Sequence, residues 1–116
     1  MRILTVDDEM EVLTLVKDVL ETVGHTVDIA IDGEMGLEKL ADAPYDLILM
    51  DHRMHGENGL SISKKIIEKD ETAKIVFVSA DASVKKEALR MGAVGFLLKP
   101  FNVDVLIKEI EKRGKE

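Results

Sequence analysis

Cysteine is absent from the 116 residues. That excludes a disulfide framework and any thiolate metal site. No apolar run approaches the roughly 20 residues that a membrane-spanning helix needs. Basic residues are in the minority: 16 Lys and Arg face 23 Asp and Glu, for a formal charge of -7. This balance argues against a nucleic-acid surface, a local basic patch aside. Glutamine is missing and asparagine occurs only at Asn58 and Asn102, while Glu and Lys abound, a mix found in heat-adapted proteins. Between Arg2 and the first acids lie only Ile3 to Val6, too few for the core of a signal peptide. A soluble cytoplasmic protein of one domain is expected. A chain this size buries roughly 65% of the surface its unfolded form exposes, enough for a core without staples.

What is present alternates. Residues 2–6 read as a strand that Asp7 and Asp8 end. A helix follows over about 9–23, where Val12, Leu15, Val16, Val19, Leu20 and Val23 recur at spacings of three and four. Asp8 with Glu11 suggests its capping box, and Gly24 its end. Strand 25–30 leads through Asp32-Gly33 to a short helix over 34–42, with Met35, Leu37, Leu40 and Ala41 inward. Pro44 precedes a third strand, 46–50. The loop from Asp51 opens a helix over 59–69 carrying Leu60, Ile62, Ile66 and Ile67. Strand 75–79 follows, then a thinly apolar helix over 83–91 that Gly92 closes. Strand 94–98 ends at Lys99-Pro100, and Phe101 or Asn102 starts a last helix with Val103, Leu106, Ile107 and Ile110 inward.

Strands that are apolar throughout, alternating with helices, indicate an α/β fold with a parallel sheet covered on both faces. Five strands in a doubly wound, flavodoxin-like sheet suggest the order 2-1-3-4-5. Ligands then bind at the carboxyl ends, where the winding reverses between strands 1 and 3. Asp7, Asp8 and Asp51 fall there. Separately each has an ordinary role in capping or turn formation. Together, three converging carboxylates are costly unless a cation sits among them or a pKa rises. Hard oxygen donors of this kind suit Mg2+. Ser79 and Lys99 end strands 4 and 5 over the same crevice. An ordinary hydroxyl bonded to nearby backbone and a solvated lysine are the plain alternatives for them. Pro100 holds Lys99 extended and is a candidate for a cis bond.

The set VDDE at 6–9, LILMD at 47–51, GENGL at 56–60, VSA at 78–80 and GFLLKPF at 95–101 resembles the receiver domain of two-component response regulators. The resemblance covers the whole chain and is closest to the stand-alone, CheY-like kind, so a single receiver over 1–116 with no output domain is expected. It implies that Asp51 accepts a phosphoryl group from a phosphohistidine on a sensor histidine kinase or phosphotransfer protein. Asp8 would bind Mg2+ (or Mn2+) directly, Asp7 largely through water, and Arg53 through its backbone carbonyl. Lys99 and the Ser79 hydroxyl, with Ala80 beside it, would contact the phosphoryl oxygens. Phe96 falls at the family's switch aromatic. The readout would be a change in the face of helix 4, strand 5 and helix 5, presented to a downstream protein. The family is not a conventional multiple-turnover enzyme. A monomer is expected, with a phosphorylation-dependent dimer through that face as an option, and neither nucleic acid nor membrane as a direct partner.

The chain departs from the family pattern at His55, which stands where proline is usual. His52 and His55 could be solvated loop residues or, at their spacing of three, metal ligands. Arg53 and Asp81 stand two residues after Asp51 and Ser79, where they would overlook the path of attacking water. Their pairing across the mouth would slow loss of the phosphoryl group. Three other readings remain open: a degenerate receiver that only binds a partner, a Mg-dependent phosphohydrolase, and a nucleotide or flavin module. The last calls for a glycine-rich loop after strand 1, and here that loop is Asp7-Asp8-Glu9.

Overall fold

The computed structural model describes residues 1–54 and 56–115. His55, with the expectations attached to it, lies outside the described residues. Five strands alternate with five helices: β1 (Arg2–Val6), α1 (Met10–Thr22), β2 (Thr26–Ala30), α2 (Gly33–Asp42), β3 (Leu47–Asp51), α3 (Gly59–Lys69), β4 (Ile75–Ser79), α4 (Lys85–Met91), β5 (Gly95–Leu98) and α5 (Val103–Gly114). A 3-10 turn, Ala82–Val84, leads into α4. Every strand pair is parallel. The order is β2-β1-β3-β4-β5, as the alternation of elements suggests.

Successive strand side chains point to opposite faces, and the core divides accordingly. Ile3, Leu49, Val76 and Leu97 meet Val16 and Leu20 of α1 and Leu106 and Ile110 of α5 on one face. Leu4, Met50, Ile75 and Phe77 meet Ile62 and Ile66 of α3 and Ala88 of α4 on the other. β3 and β4 are buried along their whole length, which is why their sequences run apolar without alternating.

Three helices begin at side-chain caps. Asp32 accepts from Met35 N at 2.8 Å, Asn58 from Ser61 N at 2.9 Å and Asn102 from Val105 N at 2.9 Å. Each such cap contributes about 1 kcal/mol. The expected Asp8 cap does not form. α1 starts one residue later from Glu9, without a side-chain cap, because the Asp7 carboxylate takes the Glu9 N–H at 3.0 Å. The buried stripe of α1 is also rotated from expectation: Leu13, Val16 and Leu20 are buried while Leu15 is 61% exposed. At α5, Val103 is likewise 47% exposed. Both misplaced residues sit beside a groove between α1 and α5 that the sheet does not reach.

Two glycines mark close approaches. A Cβ on Gly36 would touch Val6 Cγ2 at 3.3 Å, so α2 lies tight against β1. A Cβ on Gly59 would fall on the Asp51 carbonyl oxygen and within 2.9 Å of His52 Cα. There the first turn of α3 presses on the backbone that carries Asp51, and Gly59 N donates to His52 O at 2.8 Å. Backbone cannot yield as a flexible side chain can. Gly59→Ala is therefore expected to cost about 2 kcal/mol or more, whereas Gly36→Ala should fall within about 1 kcal/mol of neutral because helix propensity offsets the contact. Urea midpoints of the two variants would check this, and equal effects would contradict it.

Candidate functional site

The carboxyl ends of β1, β3, β4 and β5 deliver five polar side chains to one crevice. β1 ends at Val6, and Asp7 N donates to Ala30 O at 3.1 Å, which holds Asp7 at the end of the strand ladder. β3 ends in Asp51 itself, paired in register with Val78, and His52 N donates to Val78 O at 2.9 Å. Ser79 ends β4 opposite Leu98. Lys99 N donates to Ser79 O at 2.9 Å, so Lys99 leaves β5 level with the acids. The Lys99–Pro100 peptide is cis.

Asp7, Asp8 and Asp51 each offer a carboxylate oxygen, all within 4.8 Å of one another. Asp7 and Asp51 are buried, and so is Ser79. Lys99 answers the two buried acids: its Nζ lies 2.7 Å from Asp51 Oδ1 and 3.6 Å from Asp7 Oδ2. Burial pushes the Asp51 carboxyl up from its ordinary value. The Lys99 hydrogen bond pulls it down, but the neighbouring charges of Asp7 and Asp8 add to the rise. Asp7 is also raised, by burial first, against the opposing Glu9 N–H and Lys99 charge. For Lys99, burial works downward but is overcome by the bond to Asp51 and the charges of both acids, so its ammonium is held more firmly. A single lysine is shared between two buried acids and fully compensates neither.

Such a cluster of hard oxygen donors, short of positive charge, fits a divalent cation of the Mg2+ class. Asp8 and Arg53 face an open recess of about 550 Å3, with Glu9, His52 and Asn58 on its walls. Ser79 Oγ accepts from Asp81 N at 3.0 Å. Asp81 in turn accepts from Ser83 Oγ at 2.6 Å and Ser83 N at 2.9 Å. These bonds hold its carboxyl below the usual value, and Arg53 adds a small effect through space. Among the described residues, Arg53 and Asp81 form no ion pair within 4.0 Å.

Sequence reasoning passed over Phe77, which joins Phe96 and His52. The Phe77 ring, fully buried in β4, stacks on Phe96 at a centroid distance of 6.3 Å and meets the His52 ring at 5.5 Å. His52, Phe77 and Phe96 thus form a row from the residue after Asp51 to β5. An apolar strand pattern marks Phe77 as core but says nothing about which rings it meets.

The family model for the response regulator receiver domain matches residues 3–111. This chain belongs to the response regulator receiver domain family. It is 34% identical over 118 residues to the transcriptional regulatory protein DltR of Streptococcus agalactiae, covering 100% of the chain and 53% of that protein. It is 36% identical over 110 residues to CpxR of Escherichia coli, covering 94% of the chain and 47% of that protein. The chain thus spans about half the length of these curated relatives. Among solved structures it is similar to the response regulator TrrA of Thermotoga maritima in complex with Mg2+ and BeF, with 34% identity, a TM-score of 0.89 and 97% of each chain covered. It is also similar to the chemotaxis response regulator CheY4 of Vibrio cholerae, with 29% identity, a TM-score of 0.90 and 97% of each chain covered. The receiver is a signalling module of two-component systems rather than a conventional enzyme. No described helix is long and apolar enough to cross a membrane.

The acid cluster predicts a pH dependence for the metal-free receiver. Asp7 and Asp51 titrate above 3.8 in the folded chain, so the folded form holds protons that the unfolded chain has released. Their contribution to stability is present below about pH 4 and is lost as pH rises through the raised folded values. Asp28 and Asp70, held low in the folded chain, contribute in the opposite direction, so the clean readout is a difference between two proteins. Asp7→Asn keeps an acceptor for Glu9 N–H and leaves Lys99 to Asp51. It is expected to stabilise the metal-free protein on the order of 1 kcal/mol at neutral pH and to lose that advantage near pH 4. Urea unfolding across pH would show it.

Proposed function

We propose that this receiver takes a phosphoryl group onto Asp51 from a phosphohistidine of a sensor histidine kinase or phosphotransfer protein, in a Mg-dependent reaction. The observation that carries the reading is the placement of the buried Asp51 carboxylate, 2.7 Å from Lys99 Nζ, inside a three-acid cluster. An Asp51 oxygen forms the new bond to phosphorus. The phosphorus–nitrogen bond breaks, and its electron pair stays with the donor imidazole. Lys99 holds one Asp51 oxygen and is placed to follow the transferring oxygens, so catalysis is mainly positioning and electrostatics. Asp7, Asp8, Asp51 and the Arg53 carbonyl would hold the metal. When bound, Mg2+ (or Mn2+) supplies charge stabilisation to those oxygens. The Mg2+ and BeF complex of TrrA supports this choice.

The product adds a near-dianion beside Ser79 and Lys99. Ser79 Oγ accepts from Asp81 N, which leaves its own proton to donate to the phosphoryl group. Ala80 follows in the same turn. Movement of Ser79 would open space behind β4 for Phe96, whose ring already lies against Phe77. The result is a population shift in the face of α4, β5 and α5. Exposed Leu89, Leu98 and Val105 on those elements offer apolar surface to a downstream protein or to a second phosphorylated copy. The acidic balance of the chain points away from nucleic acid as a direct partner. A cytoplasmic setting, where kinase and phosphodonor meet, completes the reading.

Intact mass after incubation with an acyl phosphate and Mg2+ tests the proposal. The wild type should gain one phosphoryl group, Asp51→Asn none, and neither protein any without the metal. A folded wild type that gains nothing, and does not respond to a beryllofluoride mimic, would overturn it. Arg53 and Asp81 are proposed to tune the lifetime of the product by screening attacking water. Arg53→Ala should speed loss of the phosphoryl group about two- to fivefold, the size of an exposed charge effect. An unchanged decay rate would remove Arg53 from that role.

A further inference from the structure

Away from the acid cluster, α3 and α4 border a recess of about 480 Å3 lined by Lys64, Ser83, Lys86, Glu87, Arg90 and Met91. Its walls carry three cations and one acid, in a chain whose formal charge is -7. Arg2, Lys17, Lys65, Lys99 and Arg113 are all engaged in ion pairs. Among the described residues, the side chains of Lys64, Lys86 and Arg90 take part in no ion pair or hydrogen bond. Lys86 and Arg90 stand four apart on α4, a spacing at which like charges are mutually destabilising. Lys64 adds a third charge from α3. A ligand with several negative charges in a small volume would relieve all three. The recess falls within the size range of small-ligand sites, and a lysine and arginine set matches phosphate oxygens. An extended acidic peptide would need a row of cations; these converge on one concavity.

A second observation ties the recess to the crevice. Ser83, on its wall, donates to Asp81 through Oγ at 2.6 Å and through N at 2.9 Å. Asp81 N donates to Ser79 Oγ at 3.0 Å. One hydrogen-bonded chain therefore runs from the recess to the hydroxyl beside Asp51. The element between is lightly anchored, since Ala88 is the one side chain of α4 that is buried, and weakly packed elements move at low cost.

We propose that the recess between α3 and α4 binds a compact polyphosphate and that its occupancy is transmitted through Ser83 and Asp81 to Ser79. Binding stands on the recess alone. Its effect on phosphoryl transfer rests on Asp51 being the acceptor, and it would be reciprocal, with the phosphorylated form altering polyphosphate affinity by the same factor.

Inorganic triphosphate is the probe, titrated calorimetrically into the metal-free protein, where the unneutralised acids of the crevice repel it. The wild type is expected to bind with a dissociation constant below about 1 mM. The exposed double variant Lys86→Gln/Arg90→Gln should bind at least about tenfold more weakly. A charge-matched control, Lys108→Gln/Lys112→Gln on α5, should match the wild type. No binding by the wild type, or an equal loss in the control, would overturn the site whatever becomes of Asp51. Backbone amide resonances followed in the same titration read the transmission. Ser83, Asp81 and Ser79 should shift together. A response that stops at Ser83 would overturn the coupling, and failure of Asp51 to take a phosphoryl group would leave both readouts standing.

Discussion

The ion pair between Lys99 and Asp51 is the contact on which the crevice depends. Three carboxylate oxygens converge within 4.8 Å, and at an effective dielectric near 20 each pair of charges at that distance repels by about 3 kcal/mol. Among the described residues, the Lys99 ammonium stands against this, 2.7 Å from Asp51 and 3.6 Å from Asp7. Burial first, and then the charges of the neighbouring acids, hold both buried carboxyls above their ordinary value against the pull of Lys99. Repulsion among the acids favours further positive charge at the site, and the ion pair places Lys99 where it would respond to whatever charge Asp51 carries.

The scaffold keeps this unfavourable arrangement in place by over-determining its backbone. Asp51 ends a strand buried on both faces, the following residue bonds to β4, and α3 presses its first glycine against the same peptide. Lys99 is tied to the end of β4 by its own N–H. Against this rigid floor, α4 is lightly held. It is short and buries one side chain, and the turn before it is linked to Ser79 by hydrogen bonds. A change in charge at Asp51 thus meets a stiff structure on one side and a yielding one on the other, and the yielding side is where a response can be expressed.

The same asymmetry gives the recess between α3 and α4 its interest. Cations gathered around a lightly anchored helix would leave its position open to bias by an anion, and the hydrogen-bonded chain through Asp81 would give that bias a route inward. The receiver thus carries two clusters of opposite sign, an acidic crevice and a basic recess.

Much of this was legible in the residues. Apolar runs with no alternation, separated by helical periods, point to a buried parallel sheet, and five of them suggest the strand order that the structure has. Polar residues at the ends of those runs, Asp7, Asp8, Asp51, Ser79 and Lys99, must share one edge because parallel strands all end on the same side. The sequence could not show which way each helix rolls onto the sheet. Leu13 is buried and Leu15 exposed, and Asp7 rather than Asp8 serves the start of α1, because these choices follow from contacts made across the chain. Nor could it show the row of His52, Phe77 and Phe96, the press of Gly59 on Asp51, or the meeting of Lys64 with Lys86 and Arg90. Local pattern determines which residues face the core and where strands end. Only packing between distant segments decides which side chains meet, and with them how one lysine is divided between two acids.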